Sequence, residues 1–501
     1  MTIEELGKAL RARDTSAEEI TERCLQRIEA DNARLNAFIL VMADQARQQA
    51  QALDRELAAG RDRGPLHGVP VSIKDLLDVR GTPTTAASRV RDGHVAEHDA
   101  PAIAHLRQAG VIFIGKTNLH EFAFGTTSDD SAFGPVRNPH DPSRSPGGSS
   151  GGSAASVAAG MALATIGTDT GGSIRIPAAA CGIVGLKPTY GEVSTEGVVP
   201  LSRPLDHVGP LTQSVADAFF VHHALQGDHI AATPAPMPLT GVRLAVPRAY
   251  FCDLLDDDVR ARFEEALGRL RSAGAHVDDI AIHHANDIGP VYLHLTLADA
   301  AAYHAATLDR MPERYTPNVR LRLETGRYVL AEDYVRALAG RDVLRREVDA
   351  ALAQHDVLAL PTLPIPAPLI GATSVQVGSR SDSVRDRRGV TVRRAARRLP
   401  RANRCAPAHR SGVRSPHQSG PHRRLTQPST LTGSDTGPTC RTPPITPSEG
   451  RPVREDPADG CPAGRPAAEY PAAERASRPA AACRSGPAAA GCPVSEVARA
   501  W

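Results

Sequence analysis

Ile3, Leu6 and Leu10 recur at helical spacing at the start of the chain, and Ile20, Cys24 and Ile28 repeat the pattern after Ser16. Ser16 suits the N-cap of that second helix, because its hydroxyl can accept from a free backbone N–H of the first turn. Residues 41–59, with Gln, Arg, Asp and Glu spread among alanines, predict a further, solvated helix. Two short, largely apolar segments break this rhythm. Gly68 to Ile73, ending at Lys74, and Val111-Ile-Phe-Ile114 each predict a buried strand, the second preceded by a helical stretch over 99–109. Ala154 to Leu163 is small and apolar throughout and predicts a buried helix launched from a glycine-rich turn. The region 225–345 holds amphipathic helices such as Asp256–Ala273 and is expected to cap one edge of a sheet. Val357-Leu-Ala-Leu-Pro-Thr predicts the last strand. Strands alternating with helices place the chain in the α/β class, a sheet sandwiched between helices.

After about residue 378 the pattern stops. Residues 380–501 contain 17 Pro but only 3 Leu and 1 Ile, too little apolar surface to offset the entropy of ordering. The expected organisation is a folded domain over 1–377, with the helical cap 225–345 inside it, and a disordered Arg/Pro/Ala-rich tail over 378–501. Charge divides the same way. Residues 380–501 carry 22 Arg against 10 Asp and Glu, while the formal net charge of the whole chain is only +2. The tail arginines are diluted among Pro, Ala, Ser and Gly with few aromatics, which argues against a nucleic-acid partner. No run approaches the roughly 20 apolar residues that span a bilayer, and the N-terminus lacks a secretory core. Cys24, Cys181 and Cys252 are the cysteines before residue 400, too scattered for a disulfide framework. The tail cysteines lack C-x-x-C spacing, and His207, His222 and His223 lack a ligand-type pattern, so no metal is expected. The expected compartment is the cytoplasm.

Two glycine-dense turns carry the chemistry. One runs Ser145-Pro-Gly-Gly-Ser149-Ser150-Gly-Gly-Ser153, the other Thr168-Asp169-Thr170-Gly171-Gly172-Ser173-Ile-Arg175. Glycine costs more backbone entropy on folding than any other residue, so such density suits places where backbone N–H groups must approach a reacting atom. A serine needs a base to become a nucleophile, and lysine is one of the few side chains able to serve. The chain holds only four lysines, at positions 8, 74, 116 and 187, so arginine is its default surface cation. A lysine retained in such a background points to a need for a titratable amine. Lys74, Lys116 and Lys187 all sit beside glycine-rich or apolar segments. Lys116 and Lys187 are weighed as buried structural partners, Cys181 as a small core residue, and Ser150 and Ser153 as turn and helix-cap residues. No Gly-Lys-Ser/Thr follows the glycine-rich turns, which argues against a phosphate cradle.

These blocks resemble the amidase signature family. The likeness includes Gly68-Val-Pro-Val-Ser-Ile-Lys74-Asp75, Gly115-Lys-Thr-Asn-Leu-His-Glu-Phe-Ala, Phe133-Gly-Pro-Val-Arg-Asn-Pro, both glycine-rich turns, Cys181-Gly-Ile-Val-Gly-Leu-Lys-Pro-Thr and Leu205-Asp-His-Val-Gly-Pro. The resemblance implies a mixed β-sheet between helices. It implies Ser173 as nucleophile, Ser149 as bridging serine on a cis peptide bond, and Lys74 as base. It further implies that the backbone N–H groups of Thr170, Gly171, Gly172 and Ser173 form the oxyanion hole, with Asp169, Arg175 and Ser150 in support. The implied activity is cofactor-free hydrolysis of the C–N bond of a small-molecule amide through an acyl-enzyme, with self-association left open.

The resemblance ends near Val377-Gly378, and Arg385-Asp-Arg-Arg-Gly-Val-Thr-Val-Arg-Arg reads like a high-GC gene translated out of frame. Two alternatives therefore stand beside the amidase: an inactive remnant, and the glutaminase-type component of a tRNA-dependent amidotransferase, its A chain. The family typically places glutamine, between the Arg and the Pro, in those components; this chain has Ile176 there.

Overall fold

The computed structural model describes residues 1–228, 230, 232–371 and 390–394; the proposed tail otherwise lies outside the described residues. Thr2 and Glu5 exchange side-chain-to-backbone bonds in a capping box at the start of α1 (Ile3–Ala12). Ser16 caps α2 (Ala17–Leu35), its Oγ accepting from Glu19 N at 3.0 Å. Both helices bury the faces read from the sequence. The chain continues through β1 (Phe38–Val41), α3 (Ala43–Ala58), β2 (Pro70–Lys74), α4 (Pro101–Gln108) and β3 (Ile112–Thr117). Next come α5 (Gly151–Ala158), β4 (Ala164–Asp169), α6 (Arg175–Ala180), β5 (Val184–Gly185), β6 (His207–Thr212) and α7 (Val215–Gln226).

These strands form a mixed sheet in the order β1-β3-β2-β4-β6-β5. β2 runs parallel to both β3 and β4, and the flanking pairs are antiparallel. Every residue of β2, β3 and β4 is buried, as expected for central strands covered by helices on both faces. α5 begins earlier than the apolar run predicts because Gly151 and Gly152 enter the helix. A Cβ on Gly152 would lie 2.3 Å from Asn118 O and 2.5 Å from Ala37 O, so only glycine lets the helix approach the sheet this closely.

The region 225–345 departs from the expectation of a purely helical cap. It contributes β7 (Arg243–Pro247), α8 (Asp257–Ser272) and β8 (His276–Ile280), followed by α9 (Ile288–Arg310), α10 (Pro317–Gly326) and α11 (Ala331–Gln354). With β9 (Val357–Pro361) and β10 (Val390–Arg394), the strands build a second sheet in the order β10-β9-β7-β8. Both early strands evade a pattern search. β7 has only Leu244, Ala245 and Val246 as its buried apolar centre, and β8 is an edge strand with Asp278 and Asp279 in its middle. Residues 390–394, assigned above to the tail, pair antiparallel with β9.

Candidate active site

Parallel pairing of β2 with β4 sets their carboxyl ends side by side, so Lys74 and Thr168 meet at the mouth of the sheet, where ligands of α/β proteins usually bind. The glycine-rich turn before α5 brings Ser149 and Ser150 to the same lysine. Lys74 is fully buried. Its Nζ lies 2.8 Å from Ser149 Oγ, 2.8 Å from Ser150 Oγ and 2.7 Å from Thr168 Oγ1. Ser150 Oγ also donates to Thr168 O at 3.2 Å, so it accepts from the lysine. No carboxylate touches Lys74 among the described residues. Burial pushes its ammonium well below the ordinary lysine value, against the weaker pull of Asp169 and Asp206.

The Gly148–Ser149 peptide bond is cis. The carbonyl of Ser149 accepts from His120 N and from Ser128 Oγ, each at 3.1 Å. A Cβ on Gly148 would stand 2.8 Å from Thr126 C and Thr127 N, so no larger residue fits that turn.

Ser173 follows β4 on the second glycine-rich turn, its residue 5% exposed. Ser150 N donates to Ser173 O at 3.3 Å and ties the two turns together. No hydrogen bond joins Ser173 Oγ to Ser149 Oγ among the described residues. Such contacts are commonly long without substrate and tighten when it binds.

Asp169 organises the second turn from within. Arg175 donates to both its oxygens, Nε at 2.9 Å and Nη2 at 2.8 Å, and Gly172 N and Ile174 N add bonds of 2.8 and 3.2 Å. Burial alone would raise the Asp169 carboxyl, but Arg175, Lys187 and the Ile174 N–H outweigh it and hold the group ionised. The Gly172 N–H, expected above to face an oxyanion, donates to Asp169, while no protein partner is seen for the N–H groups of Thr170, Gly171 and Ser173 among the described residues. Gly172 has φ +135, open to glycine, and a Cβ there would press on Ile176 Cδ1 at 2.7 Å.

Neither Ser150 nor Ser153 makes a side-chain capping bond. Ser150 occupies the N-cap position of α5 without a side-chain capping bond, its hydroxyl turned instead to Lys74. Ser153 lies inside the helix and bonds Thr117 Oγ1 at 2.8 Å. Lys116 and Cys181 fit their structural readings. Lys116 pairs with Asp75 at 2.7 Å, both side chains buried, and Cys181 Sγ lies 3.4 Å from Pro146 O in the core. His207 meets the carbonyls of Asp169 and Leu205. Among the described residues no cluster of His, Cys, Asp and Glu is arranged to hold a metal ion, and no helix is long and apolar enough to cross a membrane.

Three participants escape a reading of the sequence alone. Thr168 is the penultimate residue of β4, within a motif quoted above, and its hydroxyl is the available signal. Asp206 sits in the Leu205-Asp-His block and accepts from Thr170 Oγ1 at 2.5 Å. Tyr292 comes from α9, and a Cβ on Gly171 would lie 2.6–2.7 Å from its ring and hydroxyl. Nothing local in the sequence connects a tyrosine 121 positions downstream to that glycine.

Known proteins resemble this chain in sequence and in fold. The amidase family model matches residues 19–392. An amidase of Pseudomonas putida is 41% identical over 380 residues, covering 73% of this chain and 80% of that protein. The A chain of a glutamyl-tRNA(Gln) amidotransferase from Roseiflexus sp. (strain RS-1) is 40% identical over 410 residues, covering 75% and 84%. A solved amidase structure superposes with a TM-score of 0.70 at 40% identity, over 78% of this chain and 86% of that one. Sequence, fold and family model agree, and the chain belongs to the amidase family.

Proposed function

We propose that this amidase cleaves a carboxamide C–N bond with Ser173 as nucleophile, Ser149 as proton bridge and Lys74 as base. One observation carries the reading: Lys74 is sealed among three hydroxyls, with no carboxylate partner among the described residues. A neutral amine offers two N–H donors and one lone pair. Ser150 and Thr168 take the two N–H groups, which leaves the lone pair for the proton of Ser149.

Ser173 Oγ attacks the carbonyl carbon while its proton passes to Ser149 Oγ, whose own proton passes to Lys74 Nζ. The N–H groups of Thr170, Gly171 and Ser173 receive the developing oxyanion. Collapse breaks the C–N bond, and the proton on Lys74 returns through Ser149 to the leaving amine. Water then attacks the acyl ester, giving up its proton along the same route, and releases the carboxylic acid with Ser173 restored. Asp169 and Arg175 hold the turn in place.

The assembled lysine network supports an active enzyme over an inactive remnant. The A chain of an amidotransferase is the second reading, favoured by relatives such as the Roseiflexus protein. Ile176, buried against Gly172 where those chains typically carry glutamine, supports a self-contained hydrolase. The buried thiols of Cys24, Cys181 and Cys252 fit a reducing compartment, and we place the protein in the cytoplasm. The test is ammonia or amine release from a panel of linear amides by the purified chain alone. Turnover lost in Lys74→Ala and Ser173→Ala supports the hydrolase. Turnover that appears only with added partner proteins supports the second reading.

A further inference from the structure

Asp206 lies outside the Lys–Ser–Ser constellation, yet it is the second carboxylate on the catalytic turn. Its Oδ1 accepts from Thr170 Oγ1 at 2.5 Å, and Leu201 N and Ser202 N donate to it at 3.0–3.2 Å. Thr170 opens the turn that carries the Gly171 and Ser173 N–H groups. Asp169 grips the same turn from the other end, through Gly172 N, Ile174 N and Arg175. Two consecutive glycines make this segment intrinsically loose, since glycine populates more backbone states than any other residue. Its donors can be preorganised only if both ends are anchored, and the protein supplies one buried aspartate per end.

The anchor at Asp206 does not stop at the turn. Ser202, whose N–H binds Asp206, donates its hydroxyl to Asp299 Oδ2 at 2.5 Å, and Tyr334 OH donates to Asp299 Oδ1 at 2.9 Å. Asp299 belongs to α9 and Tyr334 to α11. α9 also delivers Tyr292 to Gly171. The turn is therefore tied to the helices of the middle region on both its hydroxyl side and its glycine side.

We infer that Asp206 is a positioning residue that sets the oxyanion-binding turn by holding the Thr170 hydroxyl and couples that turn to α9 and α11. The inference rests on the acyl-transfer role proposed for Ser173. Misplacing oxyanion donors by about 1 Å costs on the order of 100-fold in rate while leaving substrate binding largely intact.

The test uses the full chain with Asp206→Asn, Thr170→Val, Thr170→Ser and the Asp206→Asn/Thr170→Val double variant. Asp206→Asn and Thr170→Val should each lower kcat for amide hydrolysis by about 10- to 100-fold with KM within about 3-fold. Thr170→Ser, which keeps the hydroxyl, should return kcat to within about 3-fold of wild type, and the double variant should be no worse than the poorer single, as two ends of one bond require. Either single variant with unchanged kcat, or full additivity in the double, overturns the inference. If Asp206→Asn does not fold, the Thr170 pair alone decides it. A second readout does not depend on turnover. Amide hydrogen exchange across residues 168–175 should accelerate in Asp206→Asn and Thr170→Val but not in Lys74→Ala, and equal exchange in all of them overturns the inference even if no amide is cleaved. Loss of activity in Lys74→Ala alongside normal Asp206→Asn would refute this role and leave the proposed reaction standing.

Discussion

Lys74 and Lys116 lie on neighbouring parallel strands one register step apart, and both are fully buried, yet among the described residues only Lys116 has a carboxylate partner. Asp75, next in sequence to Lys74, turns to Lys116 at 2.7 Å, while the Nζ of Lys74 is left to Ser149, Ser150 and Thr168. The alternation of a strand explains the sorting, because successive side chains point to opposite faces. One buried lysine becomes an ion-paired brace and the other an amine free to take a proton.

The brace makes a stability prediction. Lys116→Met strands the Asp75 carboxylate in the core, where only Thr85 and its N–H still serve it. Breaking a buried pair from one side costs about 3–5 kcal/mol. Urea unfolding at neutral pH should show that loss, and adding Asp75→Asn should recover much of it. A cost below about 1 kcal/mol would mean the pair is not the brace described.

The free amine makes a pH prediction. Only neutral Lys74 can accept the proton, and burial lowers its pKa well below the ordinary value of about 10.4. Acidification protonates it, so kcat/KM should fall as pH drops through the lowered pKa and level off above it. A rate that climbs only near the ordinary lysine value would contradict the burial argument.

How much of this is legible in the sequence follows from where each constraint resides. The site serines, Lys74, Asp169 and Arg175 stand in short contiguous motifs, and short apolar stretches mark the strands β2 and β3, so local pattern suffices. Tyr292 and Asp206 reach the turn only through tertiary packing of α9 and the segment before β6, which no local spacing encodes. The fate of the Gly172 N–H is hidden for a related reason: a glycine-rich turn advertises available donors, but which donor its own aspartate consumes depends on the turn's final geometry. β7 and β8 escape because a three-residue apolar core and an acidic edge strand carry little period-two signal.

The Gly171–Tyr292 contact gives a third prediction. Gly171→Ala places a methyl 2.6 Å from Tyr292 Cε2, so the turn or the tyrosine must move. We expect kcat to fall by about 100-fold with little change in melting temperature. Combining it with Tyr292→Phe should leave the defect, since the ring carbons clash as well as the hydroxyl; Tyr292→Ala should relieve it in part. Wild-type kcat in Gly171→Ala would show that the turn tolerates displacement.

The central claim is that Ser173 is the nucleophile of an assembled Lys74–Ser149–Ser173 relay. The most direct measurement treats the full-length protein with a fluorophosphonate and maps the adduct by peptide mass spectrometry, beside Ser173→Ala and Lys74→Ala. The relay predicts one adduct, on Ser173, absent from Ser173→Ala and formed far more slowly in Lys74→Ala. A folded wild type that takes no adduct, or an adduct on another serine that survives Ser173→Ala, would contradict it.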